Sequence, residues 1–116
     1  MRAELRALNC VHEDLRTYFP ADEAFCITVT AEIGRLGGQG ADNFDFDVCS
    51  PQWLEAALET DKVVSGRHKL FMIGFDLSAL EAYVVKRVRQ AEGPDWPSVA
   101  EKLGRWSHWE FEDYRP

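Results

Sequence analysis

The sequence lacks the usual features of an exported, membrane-bound or zinc-binding protein. Its three cysteines are an odd number at wide spacing, with no Cys-x-x-Cys pair, so they suggest neither a disulfide framework nor a zinc site. The N-terminal residues contain no unbroken apolar run of the kind found in signal peptides. No window approaches the roughly 20 apolar residues of a membrane span. We therefore expect a protein of the reducing cytoplasm, with no membrane anchor and no bound metal.

Basic residues are also scarce. The 116 residues include 13 Lys and Arg against 20 Asp and Glu, which gives a formal net charge of -7 at pH 7. Such a charge repels nucleic-acid phosphates and acidic lipid surfaces, and it favours a basic protein wherever the partner is charged. Excess acid also keeps a small protein soluble without any partner. We expect neither nucleic acid nor membrane as a direct partner.

Length and composition indicate a single soluble domain over residues 1–116. Hydrophobic residues make up 46% and charged residues 28% of the chain, as in ordinary globular domains. Alternation predicts a first strand that places Ala3, Leu5 and Ala7 on one face. A continuous apolar run within 68–75 predicts a strand covered on both faces. Strands are predicted at 2–10, 25–33, 44–49, within 68–75, and around 109–112.

Three helices follow from capping residues and helical spacing. Ser50 is expected to cap the first helix, with Pro51 in its first position. Ser78 and Glu81 have the spacing of a capping box for the second helix. The helices are predicted from 51 to about 60, from about 77 to a stop at 93–94, and from 96 to 103. The order of elements predicts an α+β domain, with a largely antiparallel sheet of about five strands and two or three helices packed on one face.

The alternation also predicts which side chains point away from the helices. An acidic surface with hydroxyls among its carboxylates would result from Thr28, Thr30, Glu32, Asp45, Asp47, Glu110 and Glu112. The aromatic C-terminal segment around Trp109 either closes the core or anchors an interface. The candidate partner-binding residues are therefore Glu32, Asp45, Asp47, Trp109, Glu110 and Glu112.

Two catalytic sites are the alternatives to this binding surface. Asp45 and Asp47 would lie about 7 Å apart on one strand, near the separation of glycosidase carboxylates. Two equivalent outward aspartates nevertheless lack the different environments that acid–base catalysis requires. Cys49 precedes a helix start, where the helix dipole can lower a thiol pKa, and His68 or His108 could act as its base. A packing role is favoured for Cys49 and a solvated strand face for Asp45 and Asp47. A small enzyme remains the alternative function.

The order and the amino-acid sequences of these segments resemble those of the immunity protein 8 family of bacterial polymorphic toxin systems. The resemblance rests on AELRALN at the start, TAEIG and FDFDVCSPQWL in the middle, GRH before the fourth strand, and WEFEDY near the end. It implies a small cytoplasmic protein, encoded beside a toxin, that binds the effector domain of that toxin and protects the producing cell. It implies no cofactor and no chemistry by the protein itself.

A stoichiometric inhibitor of a cognate toxin domain is thus the favoured function. The net charge adds the expectation that this toxin domain is basic. The alternatives are a small cytoplasmic enzyme that uses Cys49 or the Asp45 and Asp47 pair, and a generic protein-binding regulatory module.

Overall fold

The computed structural model describes residues 1–114, and within them the chain forms five strands and three helices. The elements in chain order are β1 (Ala3–Asn9), β2 (Cys26–Arg35), β3 (Asp42–Cys49), α1 (Pro51–Asp61), β4 (Lys69–Phe71), α2 (Leu77–Gln90), α3 (Trp96–Leu103) and β5 (His108–Trp109). The predicted order of strands and helices is confirmed.

β3 is the central strand of the sheet. β1, β2 and β3 pair antiparallel in sequence order, so β2 occupies one edge of β3. The other edge of β3 is shared, because β4 runs parallel beside 47–49 and β5 runs antiparallel beside 44–45. The α+β fold with a largely antiparallel sheet, predicted from the sequence, is confirmed.

One face of the sheet carries the hydrophobic core. Six inward side chains of β2 and β3 are at most 1% exposed, namely Val29, Ala31, Ile33, Phe44, Phe46 and Val48. The helices bury Leu80, Val84, Val88, Val99, Ala100 and Leu103 against this cluster. Full burial of such a side chain stabilises the fold by about 1.5–3 kcal/mol. None of the residues of α1 is buried, so α2 and α3 supply the helical side of the core.

The predicted facing of the first strand is wrong after Leu5. The register of β1 against β2 shifts between Leu5 and Ala7, which is a β-bulge. Leu8 then lies opposite the buried Ala31 and packs against the core in place of Ala7. Since side chains alternate between faces, one extra residue moves every later side chain of the strand to the other face.

The apolar run at 68–75 is shorter and more exposed as a strand than the sequence predicts. β4 has three residues and pairs with β3 alone, so it is an edge strand. Leu70 and Met72 pack against the core, whereas Phe71 is 45% exposed and Ile73 is 79% exposed. A continuous apolar run is typical of a strand covered on both faces. Here the run belongs to an edge strand with only one face covered by the core.

The helix starts match the prediction at α1 and differ at α2. The Ser50 hydroxyl accepts the N–H of Trp53 at 3.2 Å, as an N-cap does, and also the N–H of Phe25 at 3.0 Å. It therefore ties the start of α1 to the chain entering β2. α2 begins earlier than a Ser78 cap allows, and its N-cap is Asp76 rather than the predicted capping box.

Asp42, at the start of β3, joins the two tryptophans that close one end of the core. Its Oδ2 atom accepts the indole N–H of Trp96 at 2.7 Å and that of Trp109 at 2.9 Å. The buried Phe44 ring stacks on Trp109 and lies edge-on to Trp96. A hydrogen bond to a charged group contributes about 1.5–3 kcal/mol. One carboxylate thus links β3 to both α3 and β5.

The Asp42→Ala substitution should lower the free energy of unfolding by roughly 2–4 kcal/mol, because both indole N–H groups lose their acceptor. Asp42→Asn keeps one carbonyl oxygen and should lose less. Urea unfolding followed by tryptophan fluorescence measures both changes. Glu81→Ala, at an exposed position of α2, is the control. A loss for Asp42→Ala no larger than that of the control would contradict the assigned role.

Candidate partner-binding surface

The sheet face opposite the core carries carboxylates and hydroxyls from β2 and β3. Strand register places Thr28 opposite Asp47 and Thr30 opposite Asp45. In each pair the threonine hydroxyl donates to the Oδ1 atom of the aspartate at 2.7 Å. We use the name acidic face for the outward side chains of Thr28, Thr30, Glu32, Asp45, Asp47, His108 and Glu110.

Contacts with β1 and along the pairing of β3 with β5 hold the remaining members of the acidic face. The Asn9 side chain on β1 donates to Glu32. The backbone N–H of Asn43 donates to the Glu110 carboxylate, and the backbone N–H of Glu110 donates back to the Asn43 carbonyl. His108 lies opposite Asp45 and is exposed. The face is therefore continuous from β1 across to β5.

Lys69 partly neutralises one end of the acidic face. It lies opposite Asp47 in the parallel pairing of β3 with β4, and its Nζ atom is 3.7 Å from Asp47 Oδ2. Within residues 1–114, no ion pair of this kind involves Glu32, Asp45 or Glu110. The uncompensated negative charge thus lies toward the β1 and β5 sides of the face.

The two other candidate residues, Trp109 and Glu112, do not lie on the acidic face. The Trp109 ring is on the core side, where it stacks on Phe44 and donates to Asp42. Glu112 follows the two-residue strand β5 in a turn, and its carboxylate accepts a hydrogen bond from Arg67 at 2.7 Å. The predicted terminal strand is therefore shorter than 109–112, and only four of the six candidates share the acidic face.

A family model described as immunity protein 8 matches residues 3–114, which is nearly the whole chain. The chain belongs to the immunity protein 8 family. No curated protein and no solved structure showed significant similarity to it. The resemblance inferred from the sequence is confirmed, and the role that membership supports is that of an immunity protein.

Cys49 of this immunity protein is not placed as a nucleophile would be. Its side chain is completely buried at the end of β3. Burial raises the pKa of the Cys49 thiol, and the hydrogen bond to Cys26 raises it further. A reactive cysteine instead needs an accessible thiol with a lowered pKa. The α1 N-terminus, which the sequence suggested as the activating feature, is capped by the Ser50 side chain.

Metal-ligand clusters and membrane-spanning helices are both absent from residues 1–114 of the immunity protein. In the described part of the chain, no three His, Cys, Asp or Glu side chains converge in a way that could hold a metal ion. None of the helices within residues 1–114 has the length and apolar character needed to cross a bilayer.

Sequence reasoning missed three residues that border or join the acidic face, namely Asn9, Lys69 and His108. Asn9 reaches Glu32 because the bulge in β1 changes the facing of the strand. Lys69 and His108 reach the face because β4 and β5 both pair with β3. Each depends on nonlocal pairing, for which local sequence carries no signal.

The two histidines at the β4 and β5 edge contact each other. The His68 and His108 rings meet edge to face, with centroids 5.7 Å apart. Among the described residues, the buried His68 Nε2 atom has no hydrogen-bond partner. Burial lowers the pKa of His68, and the neighbouring Arg67 charge adds to the decrease. The folded state therefore favours neutral His68.

The stability of the immunity protein should decrease as the pH falls below about 6.5, the ordinary pKa of histidine. Because the folded pKa of His68 is lower than that value, the unfolded chain binds the proton first and gains from acidification. The stabilisation that neutral His68 contributes is complete above the unfolded pKa. It is lost as the pH falls from the unfolded pKa through the lower folded pKa. Urea midpoints across this range should show a weaker pH dependence for His68→Gln than for the wild type.

His12→Gln is the matched control, because His12 lies exposed in the first loop. It should retain the pH dependence of the wild type. Parallel pH profiles for the wild type and His68→Gln would show that His68 is not responsible.

Proposed function

We propose that this protein binds a cognate toxin domain in the bacterial cytoplasm and neutralises it as a stoichiometric inhibitor, without catalysis of its own. The match of residues 3–114 to the immunity protein 8 family is the observation that supports this role most strongly. An inhibitor of this kind requires a stable complementary surface rather than a reactive group.

The acidic face is the surface that we assign to the toxin domain. Its carboxylates outnumber the nearby cations, and the net charge of -7 has the same sign. The threonine hydroxyls orient Asp45 and Asp47 before any partner arrives. Such preorganisation reduces the entropy lost on binding, and a charged face accelerates encounter with a basic partner.

The contacts within the face indicate where a basic side chain binds best. Asp47 already has Lys69 nearby at 3.7 Å, so an incoming cation gains less there. Asp45, flanked by Glu32 and Glu110, has no such cation among the described residues. Arginine or lysine side chains of the toxin domain would therefore lie over the part of the acidic face around Asp45.

A small enzyme is the less supported alternative. The Cys49 thiol is buried and its pKa is raised, which disfavours the thiolate. Asp45 and Asp47 both accept a threonine hydroxyl on the outward face and neither side chain is buried, so neither has the apolar surroundings that a catalytic general acid requires. A generic regulatory module would use the same face to bind some other protein. Binding to the cognate toxin domain distinguishes the proposed inhibitor from such a module.

The double substitution Asp45→Asn with Asp47→Asn should weaken binding to the cognate toxin domain by roughly tenfold or more, mainly through slower association. The wild-type affinity should also fall as salt is raised, because exposed charges are screened. Surface plasmon resonance at low and high salt measures both effects.

Glu81→Gln with Glu101→Gln is the charge-matched control, since it removes the same number of carboxylates from exposed positions of α2 and α3. It should bind nearly as well as the wild type. If both double variants weaken binding equally, net charge rather than the acidic face is responsible. If neither variant nor salt changes the affinity, the assigned surface is wrong.

The Cys49→Ala variant should still protect cells that express the toxin, because the thiol has no chemical role in a stoichiometric complex. Titration of toxin activity with the wild type should reach its end point at equimolar protein. Loss of protection by a folded Cys49→Ala protein, or complete inactivation at substoichiometric amounts, would support the enzyme instead.

A further inference from the structure

Two of the three cysteines meet across neighbouring strands. Cys26 is the first residue of β2 and Cys49 is the last of β3, and the register places them directly opposite each other. Their Sγ atoms are 2.9 Å apart. Their wide separation in sequence gave no indication of this contact.

The backbone geometry at this position suits a disulfide. In the adjacent pair, the N–H of Ser50 donates to the carbonyl of Phe25 at 2.9 Å. Hydrogen-bonded and non-hydrogen-bonded pairs alternate, so Cys26 and Cys49 form a non-hydrogen-bonded pair, whose Cα atoms lie about 4.5 Å apart. Disulfides span Cα separations of about 4.4–6.8 Å. We propose that Cys26 and Cys49 form a reversible disulfide site that cross-links β2 to β3.

A small-molecule disulfide is the oxidant class that this site would use. The Cys26 thiol releases its proton to solvent, and the thiolate attacks one sulfur of the small disulfide. A mixed disulfide forms, and the departing thiolate takes up a proton. Cys49 then loses its proton and attacks Cys26 Sγ, which releases the second small thiol. The protein loses two S–H bonds and gains one S–S bond, while the oxidant becomes two thiols.

Cys26 is the point of entry because it is partly exposed, whereas Cys49 is buried. Burial raises the pKa of both thiols. The hydrogen bond between them favours the thiolate on Cys26 and the thiol on Cys49. Of the charged groups nearby, Asp47 disfavours and Lys69 favours the thiolates. Exchange should therefore be slow at neutral pH and faster under mildly alkaline conditions.

The cross-link would form two register positions beyond the Thr28 and Asp47 pair, at the next pair on the same face, where the acidic face ends. It would fix β2 against β3 without involving Cys10, which lies just after β1. The site is independent of the proposed inhibition, because it rests only on the two thiols and the strands that carry them.

The test treats purified protein with oxidised glutathione at mildly alkaline pH, followed by alkylation and mass spectrometry. The expected product is lighter by two hydrogen atoms and keeps one free thiol, on Cys10. Its digest contains the Cys26 peptide joined to the Cys49 peptide, and a reductant restores both thiols. The oxidised protein should melt about 5 °C or more above the reduced one.

The controls separate this site from other thiol reactions. Cys10→Ser should form the same cross-link, Cys26→Ser should form none, and Cys49→Ala should stop at a glutathione adduct on Cys26. Circular dichroism confirms that each variant is folded. A wild-type protein that retains glutathione on Cys26, or that cross-links through Cys10 instead, would overturn the proposal.

Discussion

The organisation of the sheet depends most on the pair of hydrogen bonds that the Asp42 carboxylate accepts. One oxygen atom accepts two indole N–H groups, from α3 and from β5, and the rings of both enclose Phe44. This contact fixes β5 along the first half of the edge of β3 that β2 does not occupy. β4 pairs with the second half of the same edge. With both edges paired, β3 is held as the central strand.

The outward face follows from that arrangement. Because Phe44, Phe46 and Val48 point into the core, the intervening Asp45 and Asp47 must point away from it. Pairing with β2 supplies each aspartate with a threonine hydroxyl, and the short strand β5 places His108 opposite Asp45 at the edge. The alternation that places the apolar side chains in the core thus also forms a preorganised acidic surface, which is complementary to the basic partner that we propose.

Local patterns predicted much of this from sequence. Alternation predicted that Asp45 and Asp47 face outward, and the Ser-Pro junction predicted that α1 begins at Pro51 with Ser50 as its cap. Nonlocal pairing could not be predicted in this way. The approach of Lys69 to Asp47 and the contact of Cys49 with its partner thiol depend on strand register. Likewise, the bulge between Leu5 and Ala7 contains no glycine that could have indicated it in the sequence.

Carboxylate footprinting of the complex would test the assigned surface most directly. Water-soluble carbodiimide and an amine label exposed Asp and Glu, and mass spectrometry compares the free protein with the protein bound to its cognate toxin domain. Binding at the acidic face predicts protection of Glu32, Asp45 and Glu110, with Glu81 and Glu101 labelled as in the free protein. Protection of the α2 and α3 carboxylates, with the acidic face still labelled, would contradict this account.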